Sequence, residues 1–132
     1  MKRLAAILTC LALAGCAGAA SQTQAAEPAI EVTLAPGETA PVKSAGMKVR
    51  FVAVTEDSRC PRDTTCIWAG EVKVQIEIVR LTRVNSVEIP AGGNTVAGDY
   101  RVSVVRVEPQ PTSTAPIAPQ DYRATFKIEK VG

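Results

Sequence analysis

The residues best equipped for chemistry lie in one stretch, E-D-S-R-C-P-R-D-T-T-C-I-W-A-G, residues 56 to 70. Cys60 and Cys66 sit close together among charges, and the chain's only tryptophan, Trp68, follows them. Such a pair can be a disulfide staple, a redox couple or half of a metal site. Thioredoxin-like redox sites place two residues between their cysteines at a helix N-terminus, which lowers the thiol pKa. Here five residues intervene, Pro61 among them, in a strand-rich context. Zinc takes four ligands, usually Cys or His, and the chain has no histidine. Calcium through Glu56, Asp57, Asp63 and Glu71 is the remaining metal reading, but the D-x-D-x-D-G loop spacing is absent. Without histidine there is also no Ser–His or Cys–His nucleophile pair. No catalytic residue, metal site or cofactor is expected, and the chain reads as a non-enzyme.

The N-terminus says where the protein is sent. Lys2 and Arg3 form a positive n-region, and Leu4 to Ala14 form an apolar run. That run is shorter than the roughly 20 residues a spanning helix needs, and it has the size of a secretory h-region. It ends in Leu13-Ala14-Gly15-Cys16, which resembles the lipobox of bacterial lipoproteins. The resemblance implies that residues 1–15 are removed, and that Cys16 becomes the first residue and carries thioether-linked diacylglycerol and an acylated amine. Two or more acyl chains hold a protein stably on a bilayer, where one does so marginally. The rival reading is ordinary signal cleavage at Ala17-Gly18-Ala19. Ala17, where lipoproteins kept in the inner membrane carry Asp, favours the outer membrane facing the periplasm if the source is Gram-negative. Residues 16–29 then comprise the lipidated cysteine and a flexible tether of small and polar residues, and 30–132 the folded domain.

The signal holds two of the fifteen basic residues, leaving thirteen against thirteen acidic ones. A mature chain this close to neutral lacks the basic footprint of nucleic-acid binding. Nor does any run of Lys and Arg suggest a polybasic membrane patch. The domain's length suits one core.

Alternation dominates the domain. Val72, Val74, Ile76 and Ile78 fall on one face of 71–80, opposite Glu71, Lys73, Gln75 and Glu77. Tyr122, Ala124, Phe126 and Ile128 do the same in 121–130, with Arg123, Thr125, Lys127 and Glu129 outward. Period two with one polar face predicts half-buried antiparallel strands. Further strands are expected at 30–34, 47–54 and 99–108, with weaker ones near 39–43 and 84–89. In 99–108 the apolar phase moves from Tyr100, Val102 and Val104 to Val105 and Val107, which predicts a β-bulge. Gly92-Gly93-Asn94 reads as a turn. About seven strands, each with one apolar face, predict an all-β antiparallel β-sandwich, Ig-like, with a small barrel as the alternative. Four prolines within 108–119 exclude that segment from a sheet interior and suggest an ordered crossover before the last strand.

The cysteine loop joins two strong strands yet runs from about 57 to 69, far beyond the usual two to five residues. Export places Cys60 and Cys66 in an oxidising compartment if a periplasm exists. With Cys10 removed and Cys16 lipidated, as the lipobox implies, the two are left to pair with each other. The resulting disulfide stabilises by roughly 2–2.5 kcal/mol on the chain-entropy model. Trp68 has two readings. In one it enters the core and covers the disulfide; in the other it stays partly exposed and joins Arg59, Arg62 and Asp63 as a contact surface for a partner, in keeping with the role of aromatics and arginine at interfaces. Gly70 suggests a backbone conformation that suits glycine.

D-S-R-C-P at 57–61 and C-I-W-A-G at 66–70 resemble a motif of small, uncharacterised bacterial exported proteins. Asp99-Tyr100-Arg101, Glu108-Pro109-Gln110-Pro111 and Asp121-Tyr122-Arg123 are similar to later features of that group. The resemblance implies a shared fold and disulfide loop over about 47–130, and no activity. The chain is therefore expected to be a non-catalytic envelope lipoprotein, held by its lipid and presenting loop 57–70 to an envelope protein or serving a structural role. One alternative is an inhibitor of a secreted hydrolase, with Arg59 or Arg62 in a specificity pocket; another is a calcium-dependent or redox-active protein.

Overall fold

A computed structural model describes residues 26–132; the expected signal, the lipobox-like stretch and most of the expected tether lie outside the described residues. The chain forms eight strands: β1 (Ile30–Leu34), β2 (Thr39–Val42), β3 (Met47–Asp57), β4 (Val72–Arg80), β5 (Arg83–Pro90), β6 (Asn94–Ala97), β7 (Tyr100–Glu108) and β8 (Arg123–Lys130). They make two antiparallel four-stranded sheets, ordered β1-β8-β7-β6 and β2-β3-β4-β5. This is a sandwich, not a barrel. Two meanders, β2 to β5 and β6 to β8, supply seven of the strands, and β1 closes onto β8. Immunoglobulin sheets divide their strands as ABED and CFG, so the likeness to them lies in the sandwich of two antiparallel sheets and not in the strand order. No helix among the described residues is long and apolar enough to cross a membrane.

The core follows the alternation. Val72, Val74, Ile76 and Ile78 from one sheet meet Val102, Val104, Ala124, Phe126 and Ile128 from the other, all essentially without solvent contact. Phe51 and Phe126 meet edge to face at 5.9 Å between ring centroids, the geometry that the ring quadrupoles favour. Three details depart from the sequence pattern. β6 emerges just after the Gly92-Gly93 turn, pairing Asn94 with Ser103; four residues are too few to show a period. The β7 bulge lies between Val104 and Arg106, so Val107 is buried while Val105 is left outside. Thr125, placed outward by alternation, is buried between its cross-strand neighbours Thr33 and Arg106, and its hydroxyl meets that of Thr33 at 2.8 Å.

The two ends of the sandwich differ. β3 and β4 run antiparallel from Met47 opposite Arg80 to Asp57 opposite Val72. The second end carries the cysteine loop, 58–71, beside the proline-rich crossover 109–122. The first carries the chain's entry at Ala26–Ala29, the short β4–β5 turn and the C-terminus. β3 bulges twice near the loop end, between Phe51 and Ala53 and between Val54 and Glu56. Bulges bend a strand and redirect its side chains.

Candidate functional site

The cysteine loop is clamped at its base, braced in its middle and open at its tip. At the base, Ser58 N–H donates to the Glu71 carbonyl at 2.8 Å, and Glu71 N–H donates to the Ser58 hydroxyl at 3.1 Å. Gly70 lies against this clamp: a Cβ there would come within 1.6 Å of the Ser58 carbonyl oxygen. Its φ is not in the left-handed region, so space, not backbone conformation, demands the glycine. Cys60 and Cys66 form a disulfide, with their Cα atoms 5.9 Å apart.

The brace is a polar network between the two sheets. Arg59 turns inward and grips Asp57 in two parallel bonds, Nε to Oδ1 at 2.8 Å and Nη2 to Oδ2 at 2.7 Å. The same guanidinium donates to the carbonyls of Val107 at 2.8 Å and Pro109 at 2.9 Å. Tyr122, just before β8, donates its hydroxyl to Asp57 Oδ2 at 2.9 Å. Both partners of the ion pair are nearly buried, with 11% and 12% of their side-chain surface exposed. Such fork-on-fork pairs are directional as well as strong, and here the arginine's remaining reach is met by backbone carbonyls. Burial by itself would raise the Asp57 carboxyl, but the bonds from Arg59 and Tyr122 and the charge of Arg59 outweigh it and hold the group below its usual range. Burial, the bond to Asp57 and the Asp57 charge together push the Tyr122 phenol up to about 12.

A second contact ties the loop to the crossover. Asp63 accepts from Ser113 N–H at 2.8 Å and from the Ser113 hydroxyl, and these two bonds lower its pKa despite opposing desolvation. Arg62 N–H donates to the Pro111 carbonyl at 2.9 Å. Beside these contacts Arg62, Pro109, Ile117 and Asp121 line an open hollow of about 330 Å³. Outside, Lys73 bridges Glu56 at 2.9 Å and Glu71 at 3.1 Å, which drives its own pKa well upward. The four carboxylates of the calcium reading are thus each engaged by Arg59, Ser113 or Lys73. Among the described residues no three Cys, Asp, Glu or His side chains converge as metal ligands.

What remains at the tip is apolar. Ile67 is 94% exposed and Trp68 64%. The reading in which Trp68 enters the core is therefore corrected: β4 starts only at Val72, beyond the clamp between Ser58 and Glu71, so Trp68 lies in the loop and outside the sheet. Of the contact residues expected from sequence, Arg62, Asp63 and Trp68 are exposed, whereas Arg59 is spent inside the loop's own brace. Ile67, Tyr122 and Ser113 join the site although they are not among the site residues expected from sequence. Ile67 had a visible signal, an isoleucine between Cys66 and the tryptophan; Tyr122 and Ser113 are too distant in sequence to suggest partners.

No known protein family, curated protein or solved structure matches the chain.

Proposed function

We propose that this is a non-catalytic binding module of the bacterial cell envelope, a lipid-anchored β-sandwich that presents loop 57–70 to a protein partner. One observation carries the reading. A disulfide, a bidentate ion pair and a glycine-tight base hold this loop in place, and together they display Ile67 and Trp68 to solvent. A loop backbone fixed before binding loses little conformational entropy when a partner covers it, which raises affinity for a given contact area. Exposed aromatic anchors surrounded by polar residues are the usual centre of such contacts. The polar groups of the loop contribute to holding it, leaving Arg62 as the rim cation.

A photo-crosslinking residue placed at Thr64 in the full chain, expressed in its own envelope, tests this. The expected result is one recurrent cross-linked protein, lost when Ile67→Ser and Trp68→Ala are combined. Absence of any discrete product with folded, correctly exported chain would end the proposal.

The inhibitor reading narrows to one residue. Arg59 is tied into the brace, so only Arg62 is free to enter a hydrolase pocket. Flat inhibition curves against a panel of trypsin-like and lysozyme-like enzymes would dispose of it.

A further inference from the structure

At the opposite end of the sandwich, the β4–β5 hairpin turns through Leu81 and Thr82, with Arg80 paired to Arg83 across the ladder. Leu81 is 95% exposed, and its φ is +54°. Two-residue hairpin turns call for Asn, Asp or Gly where φ is positive, because a side chain there crowds the following carbonyl. A bulky leucine is thus a poor choice for the turn and for water alike. Local rules broken at an exposed point are grounds for seeking a function there.

The charges around it supply a direction. Lys43, Arg80, Arg83 and Lys130 crowd this end, with Lys48 one ladder step inside, and all five are exposed. None forms an ion pair among the described residues. The local acids are Glu27 and Asp99, with Glu129 one ladder step inside and already paired with Arg101 and Lys127. Glu27 is occupied: bonds from Ser44 and Tyr100, the latter at 3.0 Å, and the Lys130 charge hold its pKa down. Arg80 and Arg83 also flank an open hollow of about 560 Å³ with Ala45, Gly46 and Asn85. These cations are scattered along the sequence, and only the fold gathers them.

The chain outside the described residues ends at this same place. Glu27 is fastened here by Tyr100. The eleven residue steps from Cys16 to Glu27 span at most about 40 Å even when fully extended. We infer that the Leu81 end of the sandwich rests on an anionic lipid surface, with Leu81 inserted among the headgroups and the surrounding lysines and arginines on lipid phosphates. Each basic residue near an anionic leaflet adds to the attraction, and a large apolar side chain beside them adds burial. The eleven residues of β3 then separate the Trp68 loop from the surface by roughly 35 Å, at about 3.3 Å per residue. The inference builds on the anchored reading, and its test keeps the two apart.

Full chain extracted from membranes is reconstituted with vesicles of phosphatidylcholine, with or without phosphatidylglycerol, carrying brominated acyl chains. Flotation reads the anchor. Quenching of indole fluorescence reads the contact, comparing native Trp68 with a Leu81→Trp, Trp68→Phe chain. The expected result is quenching at position 81 several-fold above that at Trp68 in anionic vesicles. It should fall to the level of neutral vesicles when Arg80→Glu and Arg83→Glu are added. A floating chain with equal quenching at the two positions, or with none at 81, overturns the inference while leaving the anchor intact. A chain that floats only with anionic vesicles, and is quenched at 81, upholds the contact and removes the anchor. Flotation with neither removes both. Leu81→Asn supplies a check that structural damage cannot imitate: it relaxes the turn, so thermal stability rises as membrane contact is lost.

Discussion

The two ends of this sandwich solve opposite problems. The loop end gains a long excursion between β3 and β4 and spends a disulfide, a buried ion pair and a tyrosine on keeping it in one shape. Six carboxylates gather there, Glu56, Asp57, Asp63, Glu71, Glu108 and Asp121, against five cations, Arg59, Arg62, Lys73, Arg106 and Arg123. The hairpin end keeps its connections short, leaves Lys43, Arg80, Arg83 and Lys130 without an ion pair among the described residues and sets a leucine in a strained turn. Both ends expose large apolar side chains, but only the loop end surrounds them with internal bracing. Bracing suits a surface that must match another protein in shape. A fluid lipid surface needs no such match, only charge and an apolar tip.

Removing the brace should erase the difference between the two ends. Arg59→Ala should destabilise the domain by about 2–3 kcal/mol, measured by chemical denaturation. That lies at or below the figure for fully buried pairs, because each partner keeps some solvent contact. Gly70→Ala should cost about 2 kcal/mol through overpacking against the Ser58 carbonyl; a neutral effect would show that the loop base is slack. Cys60→Ser with Cys66→Ser should remove about 2 kcal/mol and lower affinity for a cross-linked partner without altering Leu81. Leu81→Gly should add about 1 kcal/mol, since glycine accepts the left-handed turn. Ile67→Ser with Trp68→Ala should shift stability by less than about 0.5 kcal/mol while abolishing partner capture.

The brace also predicts how stability varies with pH. Asp57 has its pKa lowered on folding, so its contribution is present above the unfolded value, about 4, and is lost as pH falls through the lower folded one. Tyr122 is raised from 10.0 to about 12. Its contribution is whole below pH 10 and disappears as pH climbs through the folded value, because the unfolded chain releases that proton first. Tyr122→Phe should erase the alkaline loss and leave the acid loss, diminished, in place. Equal alkaline behaviour of the two proteins would mean that Asp57 and Tyr122 do not act together.

Much of the architecture was legible because burial on one side of a strand imposes period two. That rule located β4, β7 and β8 within a residue or two, and it announced the bulge in β7 by its break in phase. It failed where packing is not periodic. Thr125 satisfies its hydroxyl with Thr33, a partner 92 residues away, so a polar residue could be buried without any mark in its own strand. The cysteine pair was readable from the loop's length together with the lipobox resemblance, which takes Cys10 and Cys16 out of the cysteine count. The fate of Arg59 was not, since a guanidinium beside a carboxylate and an arginine ready for a partner look identical in sequence.

Alternation by itself determined an all-β chain of strands with one apolar face each, because it depends on neighbours in the chain and on the opposed faces of a strand; the stapled loop needed the lipobox resemblance as well. Only the tertiary structure decided that Arg59 faces in and Trp68 faces out, and that Lys43, Arg80, Arg83 and Lys130 share one end. Those outcomes depend on distances between residues far apart in sequence, where a hydrogen bond or a crowded core decides which side chains are left for the solvent.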